Sequence, residues 1–290
     1  MRLIDHKNKK SKKSNQKGHI LAFLVGACLI GIAAWVFYDN KIEPEPVAQA
    51  GVELSTDLPQ YIEGEYKIFA PEEFQQLYET IIYPNTDTLA DPPSITGDDV
   101  VDERIRTIAE SRGYLLRSVP VASIQKADEP RLTVGSDDLL QAKALVAWKE
   151  LERAATAENI PLKLNSGYRS IESQRQLFLN RLKTTGATNA SILAGQSDDA
   201  VVSVLRQAAL PGYSRHHTGY TVDFVCGNGV QSFKVSTCFE WLKKENYLNA
   251  KKFGWIPSYP EGVDDQGPEP EPWEYVWVGQ QALWKEADNG

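Results

Sequence analysis

Apolar residues recur with a helical period in several stretches of the second half of the chain. From Leu140 to Ala155 they fall every three or four positions, which predicts an amphipathic helix that begins after the favourable cap Ser136 and runs to about residue 158. Similar patterns predict further helices over 171–182, 198–208 and 237–248. The last of these begins with a capping box at Thr237.

Short runs of β-forming residues separate these helices. They predict strands at Leu162–Leu164, Tyr220–Val225 and Trp273–Val278. Because helices and short strands mix without a regular β-α-β rhythm, the predicted fold class is α+β.

The chain before residue 133 gives weaker signals. Residues 61–132 predict short helices at Pro71–Tyr78 and Asp102–Arg112, a loop over 84–98 between these helices, and a strand over 114–121. We interpret them as a membrane-proximal region of unknown function, because no pattern of chemistry falls there. Residues 39–60, with their Glu-Pro-Glu-Pro run, predict a semi-rigid linker, and residues 133–290 form the remaining domain.

Ile20–Tyr38 is a stretch of 19 residues without a charge. A helix of that length spans roughly 28 Å, enough to cross a bilayer core. Residues 1–19 are rich in lysine, whereas acidic residues follow from Asp39 onward. The positive-inside rule predicts a single-pass protein of the cytoplasmic (inner) membrane, with residues 1–19 in the cytoplasm and the body in the periplasm or an equivalent extracytoplasmic space.

Two other interpretations of this stretch compete with an uncleaved anchor. A cleaved signal peptide usually has a shorter apolar run and a cleavage site of small residues. Leu24–Cys28 resembles a lipoprotein processing box, but ten further apolar residues follow Cys28. The length of the apolar run therefore favours the anchor.

Charge is divided unevenly along the chain. Residues 1–19 carry six net positive charges, so the remaining residues carry fourteen net negative charges within the formal total of −8. At 42% hydrophobic residues, the chain can build a core. An acidic body of this kind is a poor partner for nucleic acid or anionic lipid, and we expect no nucleic-acid binding.

The three cysteines fall in two different settings. Cys28 lies in the predicted anchor, whereas Cys226 and Cys238 lie in the part predicted to be exported. Oxidation is permitted there, so the pair could close a short loop by a disulfide. The alternative is two small buried thiols.

Only two histidines, His216 and His217, follow the predicted anchor. A metal site in this part of the chain must therefore rely heavily on carboxylates. His216 lies in the run SRHHTGYTVD at 214–223, where Gly219 allows a tight turn and a strand brings back Asp223. One imidazole and one carboxylate can then converge on a metal. Taken alone, the same residues would as readily be a surface histidine and a turn-capping aspartate.

The pattern Ser-x-His-x-x-Gly-x-Thr-x-Asp resembles the signature of VanY-type D-Ala-D-Ala carboxypeptidases, part of a zinc-peptidase group that includes lysostaphin and the hedgehog domain. Three further motifs resemble this family in the same order: Ser-Gly-Tyr-Arg-Ser at 166–170, Gly-Trp at 254–255 with Tyr-Pro-Glu-Gly at 259–262, and Glu-Pro-Trp-Glu-Tyr at 271–275. The resemblance covers about half of the chain. It implies a small antiparallel sheet with flanking helices.

The resemblance also implies roles for single residues. His216 and Asp223 would bind zinc, Glu271 would be the general base for the attacking water, and Arg169 would stabilise developing negative charge or hold a substrate carboxylate. The residues implied to contact the substrate are Arg169, Ser166, Tyr168, Gln174, Ser214 and Trp273.

The chain departs from the family three residues after the general base. The family has a histidine there as the third metal ligand, and this sequence has Glu274. In one outcome Glu274 binds the metal, which would weaken the ion as a Lewis acid and shift preference from zinc toward harder metals such as manganese. In a second outcome the domain recognises wall peptides without cutting them. In a third, Glu269 or His217 completes the site.

Glu271 and Glu274 are three residues apart and would face opposite sides of a flat strand. Pro272 between them disfavours a regular central strand. A bulge or turn could therefore bring both carboxylates to the same side.

Together these patterns predict a membrane-anchored, extracytoplasmic metallo-carboxypeptidase that removes the terminal D-alanine from peptidoglycan stem peptides. The alternatives are a catalytically inactive peptidoglycan-binding or regulatory module, and an endopeptidase that cuts peptidoglycan cross-links. The predicted partners are stem peptides and the membrane, the latter through residues 20–38.

Overall fold

Four antiparallel strands form the sheet that carries Ser166, Asp223 and Glu274. In order across the sheet they are β6 (Leu162–Ser166), β7 (Thr221–Cys226), β9 (Glu274–Trp277) and β8 (Trp255–Pro257). The computed structural model describes residues 61–121, 125–126, 139–227, 232–263 and 266–287. Over these residues the predicted α+β class, with a small antiparallel sheet and flanking helices, is confirmed.

Helices and short two-stranded ladders accompany the sheet. The helices are α1 (Pro71–Thr80), α2 (Asp99–Glu110), α3 (Ala142–Ala157), α4 (Ile171–Thr184), α5 (Asn189–Leu193), α6 (Asp198–Leu205) and α7 (Thr237–Lys251). The ladders pair β1 (Tyr61–Tyr66) with β10 (Trp284–Glu286), β2 (Thr86–Thr88) with β3 (Ser118–Pro120), and β4 (Gln125–Lys126) with β5 (Leu139–Leu140). Short 3₁₀ turns lie at Arg215–Thr218, Phe233–Val235 and Gln281–Leu283.

Aromatic rings pack the core against the sheet. Phe224 on β7 lies with its ring centroid 5.2 Å from that of Trp148 on α3 and 5.2 Å from that of Tyr275 on β9. All three side chains are fully buried. Burial of each such side chain contributes about 1.5–3 kcal/mol, so the strands that carry the candidate residues are firmly supported.

Residues 61–121 pack into the same core and into a second one. From α1, Phe74 and Tyr78 join the core at the sheet. From α2, Val101 and Ile105 join a second cluster with Phe178 on α4. This part of the chain is therefore built into the fold that surrounds the candidate site.

Two helix starts differ from the predictions. Ser236 caps α7 by accepting a hydrogen bond from the N–H of Phe239, so the cap predicted at Thr237 is wrong by one residue. α3 begins at Ala142 and not directly after Ser136, because the intervening β5 residues pair with β4.

The region before the domain also differs in detail. Asp98 caps α2 ahead of the predicted start at Asp102, and the strand expected over 114–121 is limited to β3. The predicted anchor at 20–38, the predicted linker at 39–60 and the cap candidate Ser136 lie outside the described residues. Among the helices that are described, none combines the length and apolar character needed to span a membrane.

Candidate metal centre

Three strands place three candidate residues in one row across the sheet. Asp223 on β7 lies opposite Glu274 on β9 and opposite Ser166 on β6. Side chains directly opposite each other in an antiparallel pair lie on the same face of the sheet. The cross-strand register therefore gathers two carboxylates and a hydroxyl from distant parts of the sequence.

His216 reaches the same place from a 3₁₀ turn. Gly219 ends this turn with a φ of 75°, a left-handed conformation that glycine adopts at little cost, as the sequence predicted. Nδ1 of His216 lies 2.6 Å from the carbonyl oxygen of Gly167, and donation from Nδ1 leaves the lone pair on Nε2. Nε2 lies 3.5 Å from Oδ1 of Asp223 and 3.4 Å from Oε2 of Glu274.

His216, Asp223 and Glu274, here called the His-Asp-Glu cluster, fit a divalent metal. One ligand atom from each lies within 4.8 Å of the others. Oδ1 of Asp223 is buried without a hydrogen-bond partner, which is costly for a bare carboxylate oxygen. Ser166 donates a 2.6 Å hydrogen bond to Oδ2 of Asp223 and so fixes that carboxylate. One imidazole and two carboxylates are ligands that zinc and manganese accept.

The electrostatics of the cluster also favour a bound cation. Burial disfavours the charged imidazole of His216, but the carboxylates of Asp223 and Glu274 outweigh it and raise the pKa to about 10. Burial likewise opposes ionisation of Asp223, yet His216 and the hydroxyl of Ser166 bring the net pKa below its ordinary value. The two carboxylates therefore stabilise a positive charge at Nε2 of His216. A metal ion that binds to Nε2 must displace the proton from the imidazole.

Neither of the other two candidate ligands joins this cluster. Nδ1 of His217 lies 2.6 Å from the carbonyl oxygen of Arg169, and its Nε2 accepts a 3.0 Å hydrogen bond from the N–H of Gly212. The side chain of Glu269 is 64% exposed and lies 3.6 Å from an arginine outside the cluster. Of the arrangements that the sequence leaves open, the structure assembles the one with Glu274.

Glu271 lies close by because the chain turns between it and Glu274. The N–H of Glu274 donates a 3.0 Å hydrogen bond to the carbonyl oxygen of Glu271, which closes a turn through Pro272 and Trp273. Burial, and then the charges of Asp223 and Glu274, raise the pKa of Glu271 well above the usual carboxyl range. A carboxyl group in such surroundings is suited to take up and release a proton in acid–base catalysis.

A pocket is lined by the His-Asp-Glu cluster, Glu271 and four arginines, one of which, Arg215, is buried beside Glu274. We call Arg117, Arg169 and Arg181 the arginine wall. The guanidinium of Arg169 donates a 3.1 Å hydrogen bond to Oε1 of Gln174, whose Nε2 donates at 2.6 Å to the carbonyl oxygen of Ala209. Gln174 therefore holds Arg169 in place from the first turn of α4.

The structure separates the residues implied to contact the substrate into two groups. Those that line the pocket are Arg169, Gln174 and Ser214. Those that are not part of its lining are Ser166, Tyr168 and Trp273. Ser166 binds Asp223, and Trp273 packs against the sheet core. Their substrate contacts stay predictions.

Several groups around the pocket are not predicted by the sequence motifs. Tyr114 and Arg117 line it from residues 61–121, where no motif offered a signal. Arg215 lies inside the SRHHTGYTVD run, but at a position to which the resemblance assigns no role. Its guanidinium is buried beside Glu274.

A disulfide joins Cys226 at the end of β7 to Cys238 in the first turn of α7. Of the two alternatives that the sequence leaves open, a disulfide or two buried thiols, the structure has the disulfide. It ties the strand that carries Asp223 to the helix that follows.

A His-Asp-Glu cluster beside a carboxyl group of raised pKa, on a small antiparallel sheet, is an arrangement suited to hold a divalent metal next to a general base. Residues 137–280 match the family model VanY, D-alanyl-D-alanine carboxypeptidase. This part of the chain therefore belongs to the VanY family of carboxypeptidases, as its four motifs indicated.

Two curated relatives each match about half of the chain. The putative carboxypeptidase YodJ of Bacillus subtilis (strain 168) is 31% identical over 155 residues, 52% of this chain and 50% of the relative. The D-alanyl-D-alanine carboxypeptidase of Enterococcus faecalis (strain ATCC 700802 / V583) is 30% identical over 141 residues, 47% of each chain. The chain thus spans about half the length of these relatives.

Solved structures give similar matches. A zinc complex of a mutant of the vancomycin resistance D,D-pentapeptidase VanY is 23% identical, with a TM-score of 0.39, over 56% of this chain and 83% of that one. The LD-carboxypeptidase LdcB is 19% identical, with a TM-score of 0.41, over 78% of this chain and 86% of that one.

Proposed function

We propose that this protein is a metal-dependent carboxypeptidase that removes the terminal D-alanine from peptidoglycan stem peptides ending in D-Ala-D-Ala. The observation that carries the proposal is the meeting of the His-Asp-Glu cluster, Glu271 and Arg169 around one pocket. Membership of the VanY family and the name of the Enterococcus faecalis relative support the choice of peptide.

A divalent ion held by His216, Asp223 and Glu274 would supply Lewis acidity toward the scissile carbonyl and lower the pKa of water. Glu271 takes a proton from the attacking water as the carbon–oxygen bond forms, and delivers it to the nitrogen of the departing D-alanine as the carbon–nitrogen bond breaks. Burial and two neighbouring carboxylates give Glu271 the raised proton affinity that this transfer needs.

The arginine wall suits the rest of the substrate. A peptide that ends in D-alanine carries a carboxylate next to the scissile bond, and a guanidinium binds carboxylates and developing negative charge with fixed geometry. Arg169 is held by Gln174 in the pocket. Arg117 and Arg181 add positive charge to the same lining.

We further propose that the domain works outside the cytoplasm, in the periplasm or an equivalent space, on a protein anchored through residues 20–38. The uncharged length of this stretch and its lysine-rich flank support the anchor. The Cys226–Cys238 disulfide supports an oxidising compartment.

The test is release of D-alanine from a pentapeptide ending in D-Ala-D-Ala, with the full chain stripped of metal and then supplied with zinc or manganese. We expect release that requires metal and that falls roughly 10²–10⁴-fold in Glu271→Gln. The matched control is Glu269→Gln, an exposed glutamate of the same loop, which we expect to leave release nearly unchanged.

Other outcomes would change the assignment. Cleavage of a cross-linked dimer in preference to the pentapeptide would identify an endopeptidase. Binding of the pentapeptide by folded, metal-supplied protein without any release would identify a recognition module instead.

A further inference from the structure

The guanidinium of Arg215 occupies a built position deep in the site. It lies 4.8 Å from the ring centroid of Tyr78 and 3.8 Å from that of Tyr259. It donates hydrogen bonds to the carbonyl oxygens of Ser258 and Gln266, the second at 2.9 Å. Only 5% of the side chain is exposed, so two rings and two carbonyls hold a full positive charge away from water.

Arg215 divides the two oxygens of Glu274 between itself and the cluster. Its Nη1 lies 3.7 Å from Oε1 of Glu274, while Oε2 of the same carboxylate lies 3.4 Å from Nε2 of His216. The side chain of Glu274 is itself only 3% exposed. One oxygen therefore faces the buried cation, and the other remains available to the cluster.

The charge of the site makes this arrangement meaningful. A centre with two histidines and one aspartate keeps one net positive charge when it holds a divalent ion. Replacement of a histidine by Glu274 cancels that charge, and an ion in a neutral centre is a weaker Lewis acid. The permanent charge of Arg215, in direct contact with the added carboxylate, restores one positive charge.

We propose that Arg215 is a positioning residue that acts through Glu274: together the two residues replace the third histidine, with Glu274 as the ligand and Arg215 as its charge compensation. The proposal rests on the metal site of the proposed function. It assigns a role to Tyr78, from outside the family match, as one of the two rings that seat the guanidinium.

The test is a two-by-two set of full-length variants: wild type, Arg215→Gln, Glu274→His and the double variant. Zinc affinity of each metal-stripped protein is measured by calorimetry, which requires no turnover. If charge governs the site, Arg215→Gln tightens zinc binding by roughly tenfold and Glu274→His weakens it by a similar factor. The double variant, which has the wild-type net charge, returns close to the wild-type affinity.

Two controls separate charge from packing. Arg215→Lys keeps the charge and loses the planar fork, and should stay within about threefold of wild type. The guanidinium of Arg117 lies 4.8 Å from the centroid of the same Tyr78 ring, but it makes no described ion pair with Glu274. Arg117→Gln should therefore change zinc affinity by less than about threefold.

The opposite pattern would overturn the proposal. If Arg215→Gln weakens zinc binding by the same factor in wild type and in the Glu274→His variant, or if Arg215→Lys behaves like Arg215→Gln, then Arg215 only packs the site. A wild-type chain that binds neither zinc nor manganese would remove this proposal and the proposed function together. A chain that binds zinc with the expected order of affinities but releases no D-alanine would remove the function alone.

Discussion

The His-Asp-Glu cluster and the arginine wall line one pocket but are built in different ways. The cluster residues are each at most 9% exposed, and two of them lie opposite each other on paired strands. The residues of the arginine wall are half-buried and come from a loop, from the segment before α4 and from α4 itself. Arg117 also lies outside residues 137–280, which match the family.

Under the proposed function, this difference separates the groups that carry the chemistry from those that bind the substrate. Sheet register fixes the relative position of Asp223 and Glu274, so a change at either one alters the whole centre. The arginines of the wall have separate hydrogen-bond partners where these are described: Arg169 binds Gln174, and Arg181 binds the carbonyl oxygen of Gln207. We therefore expect a substitution at either Asp223 or Glu274 to impair metal binding by the whole cluster. Substitution of one wall arginine should lower substrate binding only by that residue's share.

The largest effect is expected at Asp223. Asp223→Asn removes a ligand charge and should lower both zinc affinity and D-alanine release by about 10³-fold or more. Ser166→Ala removes only the hydrogen bond to Oδ2 of Asp223 and should cost roughly 10–100-fold in zinc affinity. Zinc titration of the two variants checks this order. Equal losses would mean that Ser166 does more than orient the carboxylate.

The next effect is expected at the wall. Arg169→Gln should lower kcat/KM for the pentapeptide by roughly 10²–10³-fold, because a fixed donor to developing negative charge is lost. Its zinc affinity should stay close to wild type. The matched control is Arg175→Gln on α4, whose Nε binds the carbonyl oxygen of Ile95 away from the pocket. A large loss of zinc affinity in Arg169→Gln would show that the wall and the cluster do not act as separate groups.

The cluster could be anticipated from the sequence to a large extent. The turn at Gly219, the return strand to Asp223 and the break at Pro272 are local features with strong sequence signals, and each occurs in the structure. Pairing of Asp223 with Glu274 was not contained in those signals. It depends on the register between β7 and β9, which only the packed sheet determines.

The surroundings of the cluster could not be anticipated in this way. Tyr78 and Arg117 reach the site through tertiary packing of residues 61–121, and nothing local in their sequence marks them. Arg215 is part of a recognisable motif, but its burial between two aromatic rings depends on contacts with residues distant in the sequence. Resemblance to a family identifies the ligands that its members share. It does not identify a charged residue, such as Arg215, that compensates for a changed ligand.

A third effect concerns His217, the neighbour of His216, and the dependence of the unfolding free energy on pH. Burial lowers the pKa of His217 to about 4, against an ordinary 6.5. The unfolded chain therefore takes up a proton at this residue first, so its contribution to stability is complete above pH 6.5 and is lost as pH falls through 4, by up to about 3 kcal/mol. Denaturant unfolding between pH 7.5 and 4.5 measures this contribution by comparison with a His217 variant, because the raised pKa values of His216 and Glu271 act in the opposite direction in wild type.

His217→Gln is the variant for this comparison. The variant should be less stable at pH 7.5 by roughly 1–3 kcal/mol, because the buried contacts to Gly212 and Arg169 are impaired. The difference from wild type should shrink as pH falls. Parallel curves for the two proteins would show that His217 does not carry the predicted proton linkage.

The smallest effect is expected at Ser170, the last residue of the Ser-Gly-Tyr-Arg-Ser motif. Its Oγ accepts a 3.1 Å hydrogen bond from the N–H of Ser173 and caps α4, the helix that carries Gln174. Ser170→Ala should cost about 1 kcal/mol of unfolding free energy. Ser173→Ala, which loses only the contact between the two hydroxyls, should cost less.

Because the cap supports the wall and touches no ligand, kcat/KM should change by less than about threefold. A tenfold loss of activity at wild-type stability would place Ser170 among the residues that contact the substrate, and the motif would then encode recognition as well as the start of a helix.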